Sequence, residues 1–162
     1  MKESLAPLRS ALFLPASNPR AIAKARGLPC DLVILDLEDA VRDADKADAR
    51  QAAVAAVGQG FDGRRTAIRI NGSDTPWHAD DLAAVATSAV DLVVLSKVES
   101  PEQAIACAVA GKPVLAMIET PCGLIAANAI AAVAGVAGLI AGVNDLAAAL
   151  HVQHSSERTG LH

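Results

Sequence analysis

LVILDLEDAV, Leu32–Val41, decides the fold. Leu32–Leu35 is continuously apolar and runs straight into Asp36, Glu38 and Asp39, with only Leu37 between the first two acids. A strand with one face in water alternates apolar and polar residues. A strand with no polar face is covered on both sides, as in a parallel sheet. The negative charge therefore gathers at the carboxyl end of a buried strand, where it needs a reason.

Five further apolar runs repeat the pattern: Ala11–Pro15, Thr66–Ile70, Leu92–Leu95, Val114–Ile118 and Leu139–Val143. Ala-rich segments with helical spacing lie between or after them, at Pro19–Arg26, Asp45–Val57, His78–Thr87, Pro101–Val109, Leu124–Val133 and Leu146–Leu150. Asn18 is a candidate N-cap. Ser100, Pro101 and Glu102 supply a cap, a first helical proline and a first-turn acid. Gly27, Gly58 and Gly111 stand where helices should stop. Strand then helix, six times over, predicts a parallel α/β fold. No linker, low-complexity tract or close internal repeat interrupts it, so residues 1–162 read as one domain.

Composition agrees. The 162 residues are 52% hydrophobic and 20% charged, enough for a sizeable core and far from the makeup of a disordered chain. Phe13, Phe61 and Trp77 are the only aromatics, so the core is built from Ala, Val, Leu and Ile. A net charge of −4 argues against a nucleic-acid surface. Cys30, Cys107 and Cys122 have no CxxC spacing and read as reduced thiols of a cytoplasmic protein. No basic patch and long apolar run follow Met1, and no apolar stretch is long enough to cross a membrane.

Chemistry-bearing residues collect at one end of the units: Asp36, Glu38 and Asp39 after the second strand, Arg69 and Asn71 at the third, Lys97 and Glu99 after the fourth. Glu119 and Thr120 follow the fifth, Asn144 and Asp145 the sixth. In parallel α/β sheets and barrels the carboxyl ends of the strands build the site. Each acid also has an ordinary structural explanation. Glu119 and Asp145 are each as well placed to cap a helix as to bind a ligand. Together, two carboxylates on adjacent strand ends suit a hard divalent cation such as magnesium, which takes oxygen ligands and keeps waters. Arg69 in an apolar strand needs a partner. It balances Glu38 or Asp36, grips a substrate oxygen, or does both. Lys97 reads either as a partner of Glu99 or Asp36 or as a Schiff-base amine. Asp39 and Arg42 read as solvated or capping residues. His78, His151, His154 and His162 lack zinc-ligand spacing. No phosphate loop or GxGxxG is present, and Cys122 has no histidine to activate it.

Six motifs, in order, resemble the HpcH/HpaI aldolase and citrate lyase family: RSALFLPASNPR, LVILDLEDAV with Lys46 and Arg50 after it, AIRINGSDTPWHADDL, VVLSKVES, AMIETPCGLIAANAIA and GLIAGVNDLAAALH. The resemblance is strongest to the branch of citrate lyase beta subunits and citryl-CoA, malyl-CoA and citramalyl-CoA lyases. It implies a TIM-barrel type (β/α)8 fold and a magnesium-dependent carbon–carbon lyase. It implies Mg2+ on Glu119 and Asp145, substrate oxygens on Arg69, and a site supported by Asp36, Glu38 and Asp39. It implies coenzyme A near Pro15, Ser17, Asn18, Arg20 and Lys24. The partners expected are the CoA thioester of a small hydroxy acid and further copies of the chain, with no nucleic acid and no membrane.

The length departs from the family, because a (β/α)8 barrel usually needs more than about 200 residues. The expectation is an incomplete barrel of about six parallel strands that self-associates and turns over poorly. The rival is a degenerate barrel fragment that binds CoA esters or partner subunits without catalysis. Two geometric expectations are specific. The Glu119 and Asp145 carboxylates should lie about 4–6 Å apart, close enough to share one ion. Arg69 should pair with Glu38 or Asp36.

Overall fold

The computed structural model describes residues 8–152; His154, His162 and the chain end at Leu161–His162 lie outside them. Six strands form one parallel sheet: β1 (Ala11–Pro15), β2 (Leu32–Asp36), β3 (Arg65–Ile70), β4 (Leu92–Leu95), β5 (Val114–Ile118) and β6 (Val136–Ala141). Each is followed by a helix: α1 (Pro19–Ala25), α2 (Lys46–Gln59), α3 (His78–Thr87), α4 (Pro101–Ala108), α5 (Pro121–Ala131) and α6 (Val143–Ala149). A short 3-10 turn, Asp43–Asp45, leads into α2.

The strand order is β1-β2-β3-β4-β5-β6. A doubly wound sheet reverses its order at a switch point and takes helices on both faces. This order never reverses. Every right-handed crossover then lands its helix on the same face, as in a TIM barrel. The fold is of TIM-barrel type.

Strand parity divides the core accordingly. Val33, Leu35, Ile68, Val93, Leu95, Ala116 and Ile118 pack with helix residues such as Ala53, Val85, Ala104 and Ile130. The alternate residues Leu32, Ile34, Ala67, Leu92, Val94, Leu115 and Met117 form a second, smaller cluster on the inner face. The same alternation carries Asp36 after Ile34, Arg69 after Ala67 and Glu119 after Met117 onto that inner face. β2, β4 and β5 are buried throughout, as their unbroken apolar runs require, whereas β1 and β6 alternate in exposure.

Local signals explain most boundaries. Asn18 Oδ1 accepts the Ala21 N–H at 3.0 Å. Ser100 and Gln103 form a reciprocal capping box with Pro101 in the first turn. Four elements have a boundary two or more residues from expectation, and one of them, α6, begins at Val143 rather than Leu146. α5 begins at Pro121 because Thr120, not Glu119, caps it by accepting the Gly123 N–H at 3.1 Å. α2 runs through Gly58 and stops at Gly60, whose φ of 78° takes the chain into the left-handed region. β6 begins at Val136, three residues before the expected Leu139, and ends at Ala141. Its pairing with β5 carries a register shift that leaves Ala137 unmatched between Val136 and Gly138.

Candidate active site at the carboxyl end of the sheet

Asp36 and Arg69 are register partners on β2 and β3. Arg69 Nε donates to Asp36 Oδ1 at 2.7 Å and Nη2 donates to Oδ2 at 2.6 Å, a two-pronged pair. The same carboxylate accepts the backbone N–H of Glu38 at 2.8 Å and of Ala40 at 3.2 Å. Four donors engage Asp36, so its part is to orient Arg69 and fold the turn after β2. Arg69 Nη1 lies 2.9 Å from Glu38 Oε2, 3.7 Å from Asp39 Oδ2 and 3.8 Å from Met117 Sδ. The Phe13 ring centroid is 5.4 Å from the guanidinium carbon. Burial disfavours the Arg69 charge, but Asp36, Glu38 and Asp39 outweigh it and hold its pKa above the ordinary arginine value. The charge of LVILDLEDAV is thus explained first by Arg69.

Glu38 is buried, and its Oε2 faces Arg69 without an aligned hydrogen bond. Its Oε1 contacts Lys97 Nζ. Burial pushes the Glu38 pKa up, while Lys97 and Arg69 pull against it. Lys97 Nζ also lies 3.4 Å from Asp39 Oδ1 and 3.8 Å from Asp145 Oδ2. Its ion-pair partners are therefore not Glu99 or Asp36. The reason is local: Lys97 has a φ of 51°, so its chain direction is not that of the strand before it. Burial opposes its charge, yet Glu38, Asp39 and Glu119 together raise its pKa above the ordinary lysine value. A Schiff-base amine must be deprotonated to attack, so this environment disfavours that reading.

Glu119 is 2% exposed, and its Oε1 accepts the Lys97 backbone N–H at 2.8 Å. Burial pushes its pKa up to about 7, against the lowering effect of that N–H. Asp145 lies in the first turn of α6, not at a strand end, with its side chain 41% exposed. Both acids line a cavity of about 380 Å³ with Phe13, Asp36, Asp39, Arg69, Met117 and Asn144. Among the described residues, no group of three or more His, Cys, Asp or Glu is placed to hold a metal. A pair of carboxylates with open cavity beside it still fits magnesium, which retains several waters and binds through one or two protein carboxylates.

Gly142, absent from the sequence-based site, makes that pair possible. A Cβ there would stand 2.5 Å from Glu119 Cβ and 2.6 Å from its Oε2. The first contact cannot be relieved by rotating the carboxylate. Gly142→Ala is therefore expected to displace Glu119 and weaken divalent-cation binding at least about tenfold, a cost of roughly 1.4 kcal/mol, while the protein stays folded. Calorimetric titration with MgCl2 beside a circular dichroism spectrum checks this.

Lys46 and Arg50 hold the second strand's exit from behind. Lys46 Nζ donates to the Leu37 and Glu38 carbonyls at 2.8 Å each, and stands 5.1 Å from the Trp77 ring centroid. Arg50 Nε donates to the fully buried Asp81 at 2.7 Å. Asp81 also accepts the Asn71 backbone and side-chain N–H groups at 3.1 and 2.6 Å, and Asn71 Nδ2 reaches the Leu37 carbonyl at 3.1 Å. Asn71 is thus a brace rather than a cavity residue. Glu99 does not line the cavity either; its N–H donates to Gln103 Oε1 at 2.7 Å.

A second, larger cavity of about 760 Å³ opens beside α1, lined by Pro15, Ser17, Asn18 and Arg20 with Arg42, Asp45 and Asp48. Lys24 is not among its lining residues and belongs to the last turn of α1. Asn18 Oδ1 is occupied in capping α1, which leaves its amide nitrogen for other partners.

The sequence profile described as HpcH/HpaI aldolase/citrate lyase matches residues 9–162. The chain belongs to that family. It is 41% identical over 158 residues to a (3S)-malyl-CoA thioesterase of Cereibacter sphaeroides, covering 96% of this chain and 55% of the relative. It is 40% identical over 149 residues to a citrate lyase subunit beta-like protein of Mycobacterium tuberculosis, covering 92% of this chain and 52% of the relative. The chain thus spans about half the length of these curated relatives. Among solved structures it resembles the M. tuberculosis citrate lyase beta subunit complexed with oxaloacetate and magnesium. The TM-score is 0.77 at 41% identity, covering 90% of this chain and 62% of that one. It also resembles the CitE protein of the same organism in complex with magnesium, acetoacetate and coenzyme A. There the TM-score is 0.80 at 39% identity, covering 96% of this chain and 56% of that one.

Proposed function

We propose that these residues form the metal- and substrate-binding face of a magnesium-dependent carbon–carbon lyase. Its substrate is a 3-hydroxyacyl-CoA of the citryl-CoA, malyl-CoA or citramalyl-CoA type, cleaved to an acyl-CoA and an oxo acid. The observation that carries the reading is one cavity lined by Glu119, Asp145 and a guanidinium clamped by Asp36. The magnesium bound by related structures supports it.

Glu119 and Asp145 would hold Mg2+, which supplies Lewis-acid polarisation of substrate oxygens when bound. Arg69 is fixed through Nε and Nη2, its Nη1 sits beside Glu38 Oε2 without an aligned hydrogen bond, and from the cavity wall it would donate to an oxygen that gains negative charge. Of the strand-two acids, Asp36 is fully engaged and Glu38 is buried between two cations. Asp39 is half-exposed and lines the cavity, so it is the one placed to accept the substrate hydroxyl proton. The larger cavity beside α1 is the place for the coenzyme A moiety, with Arg20 at its edge for a phosphate and Pro15 shared with the catalytic cavity. Among the described residues β1 and β6 are the edges of the sheet, and these edges, with Leu139 and Ile125 exposed nearby, favour association with further copies. A cytoplasmic location suits a CoA-dependent enzyme with three free thiols. Among the described residues, no helix is long and apolar enough to cross a membrane.

A second reading is thioester hydrolysis, favoured by the name of the malyl-CoA relative. The two leave different products from malyl-CoA. Lyase chemistry moves the hydroxyl proton to a base, breaks the C–C bond, protonates the released acyl carbon, and yields glyoxylate and acetyl-CoA with no free thiol. Hydrolysis adds water across the thioester and yields malate and CoA thiol. We expect glyoxylate, dependent on Mg2+ and lost in Arg69→Met. Thiol release without glyoxylate selects hydrolysis. Neither product at saturating Mg2+ would leave binding without turnover.

A further inference from the structure

We infer that Lys97 is a positioning residue that serves as an internal counter-cation: it divides the acids of the site into a metal-ligand pair and a substrate-side pair, and restricts the site to one divalent ion. This rests on the proposed use of Glu119 and Asp145 as metal ligands.

The geometry has three parts. First, Lys97 joins both groups of acids through separate atoms. Its backbone N–H holds Glu119 Oε1 at 2.8 Å. Its ammonium contacts Glu38 and stands 3.4 Å from Asp39 and 3.8 Å from Asp145. Second, the backbone is in a sparsely populated region. A φ of 51° is uncommon for a residue with a Cβ and persists where surrounding contacts over-determine it. Without that turn, β4 would not deliver the N–H to Glu119 and the side chain to β2 in one residue. Third, the charges are unequal. Among the described residues, the salt-bridge partners of Asp36, Glu38, Asp39 and Asp145 are Arg69 and Lys97 alone, with Glu119 a fifth acid beside them, and Asp36 already engages Arg69 through two bonds. The buried Glu38 Oε2 lacks an aligned donor.

Without the ammonium, Glu38, Asp39 and Asp145 would make a concentration of carboxylate oxygens open to another hard cation. With it, a divalent ion on Glu119 and Asp145 meets a positive charge within a few ångströms on the Asp145 side, where such repulsion is poorly screened. Lys97 thereby lowers cation affinity and keeps Glu38 and Asp39 free of metal.

The test is titration of the whole chain with Mn2+, read as free Mn2+ by electron paramagnetic resonance, and with Mg2+ by calorimetry. The variants are Lys97→Gly, Lys97→Gln and Lys97→Arg. Glycine removes the side chain and accepts the positive φ; glutamine removes the charge alone. Wild type and Lys97→Arg should bind one Mn2+. Lys97→Gly and Lys97→Gln should bind the first ion about tenfold or more tightly and take up a second. One ion at wild-type affinity in the folded glycine or glutamine variant overturns the inference, as does weaker binding, which would make the lysine a builder of the metal site. If wild type binds no divalent ion, the functional reading itself fails. A merely structural lysine would move the thermal midpoint of these variants without changing the number of ions bound.

Discussion

Asp36→Ala is expected to destabilise the protein by about 3–5 kcal/mol, because it strands a buried guanidinium rather than deleting one favourable contact. Arg69 is 9% exposed at its side chain and Asp36 3%. Asp36 supplies acceptors for Arg69 Nε and Nη2 as well as for the Glu38 and Ala40 N–H groups. Glu38, the nearest remaining acid, meets only Nη1, and without an aligned bond. At roughly 2–4 °C per kcal/mol for a chain of this size, the thermal midpoint should fall by about 10 °C. The double variant Asp36→Ala, Arg69→Met separates the causes. Replacing both partners by apolar groups removes the unpaired charge, so the double variant should recover much of the loss. A double variant as unstable as the single one would show that Asp36 acts mainly through the turn after β2.

Glu119→Gln is expected to abolish divalent-cation binding and, in metal-free buffer above pH 7, to raise the thermal midpoint by several degrees. The opposite signs share one cause. Burial lifts the Glu119 pKa to about 7 in the folded protein, whereas the unfolded group ionises near its ordinary value of 4.5. Between those values the folded protein keeps a proton that the unfolded chain releases. The contribution of this group to stability is therefore fully present below about pH 4.5 and is lost as the pH rises through about 7. Glutamine does not titrate, and its Oε1 still accepts the Lys97 N–H. The variant should lack this component of the pH dependence. Cation binding needs the carboxylate, so in wild type it should weaken about tenfold for each pH unit below 7. Thermal melts in EDTA from pH 4 to 8 check the first claim. A wild-type and variant pair with parallel pH profiles would refute it.

The parts legible in the sequence were those set by local pattern. Unbroken apolar runs located β1 to β5 to within a residue or so, because covered strands need no polar face. Asn18 and Ser100 were readable as caps because each offers a side-chain oxygen just before a proline in the first turn. β6 begins earlier than its sequence suggests because Gly138 interrupts the run that starts at Val136, and the extra residue at the bulge shifts its register. Thr120 before Pro121 carries the same cap-then-proline signal for the start of α5. At the site, the need of Arg69 for a carboxylate on the neighbouring strand was legible but left Asp36 and Glu38 both open, and the β2–β3 register sets Asp36 beside it. Strand alternation also marks Phe13 and Met117 as cavity walls. The partners of Lys97 were not legible, since a positive φ at a lysine has no sequence signature. Nor was the need for Gly142, which arises only when β6 and β5 are side by side. Asn71 looked like a site residue because it closes a strand, yet the chain leaves β3 at Ile70 and turns it toward Asp81.

The most direct test of the account is a calorimetric Mg2+ titration at pH 8 of the wild-type chain, Glu119→Gln and Asp145→Asn, with circular dichroism to establish folding. One saturable site is expected in wild type and none in either folded variant. Wild-type binding that survives both substitutions would contradict this, and the cation would then have to be sought away from the pair of carboxylates that faces Arg69.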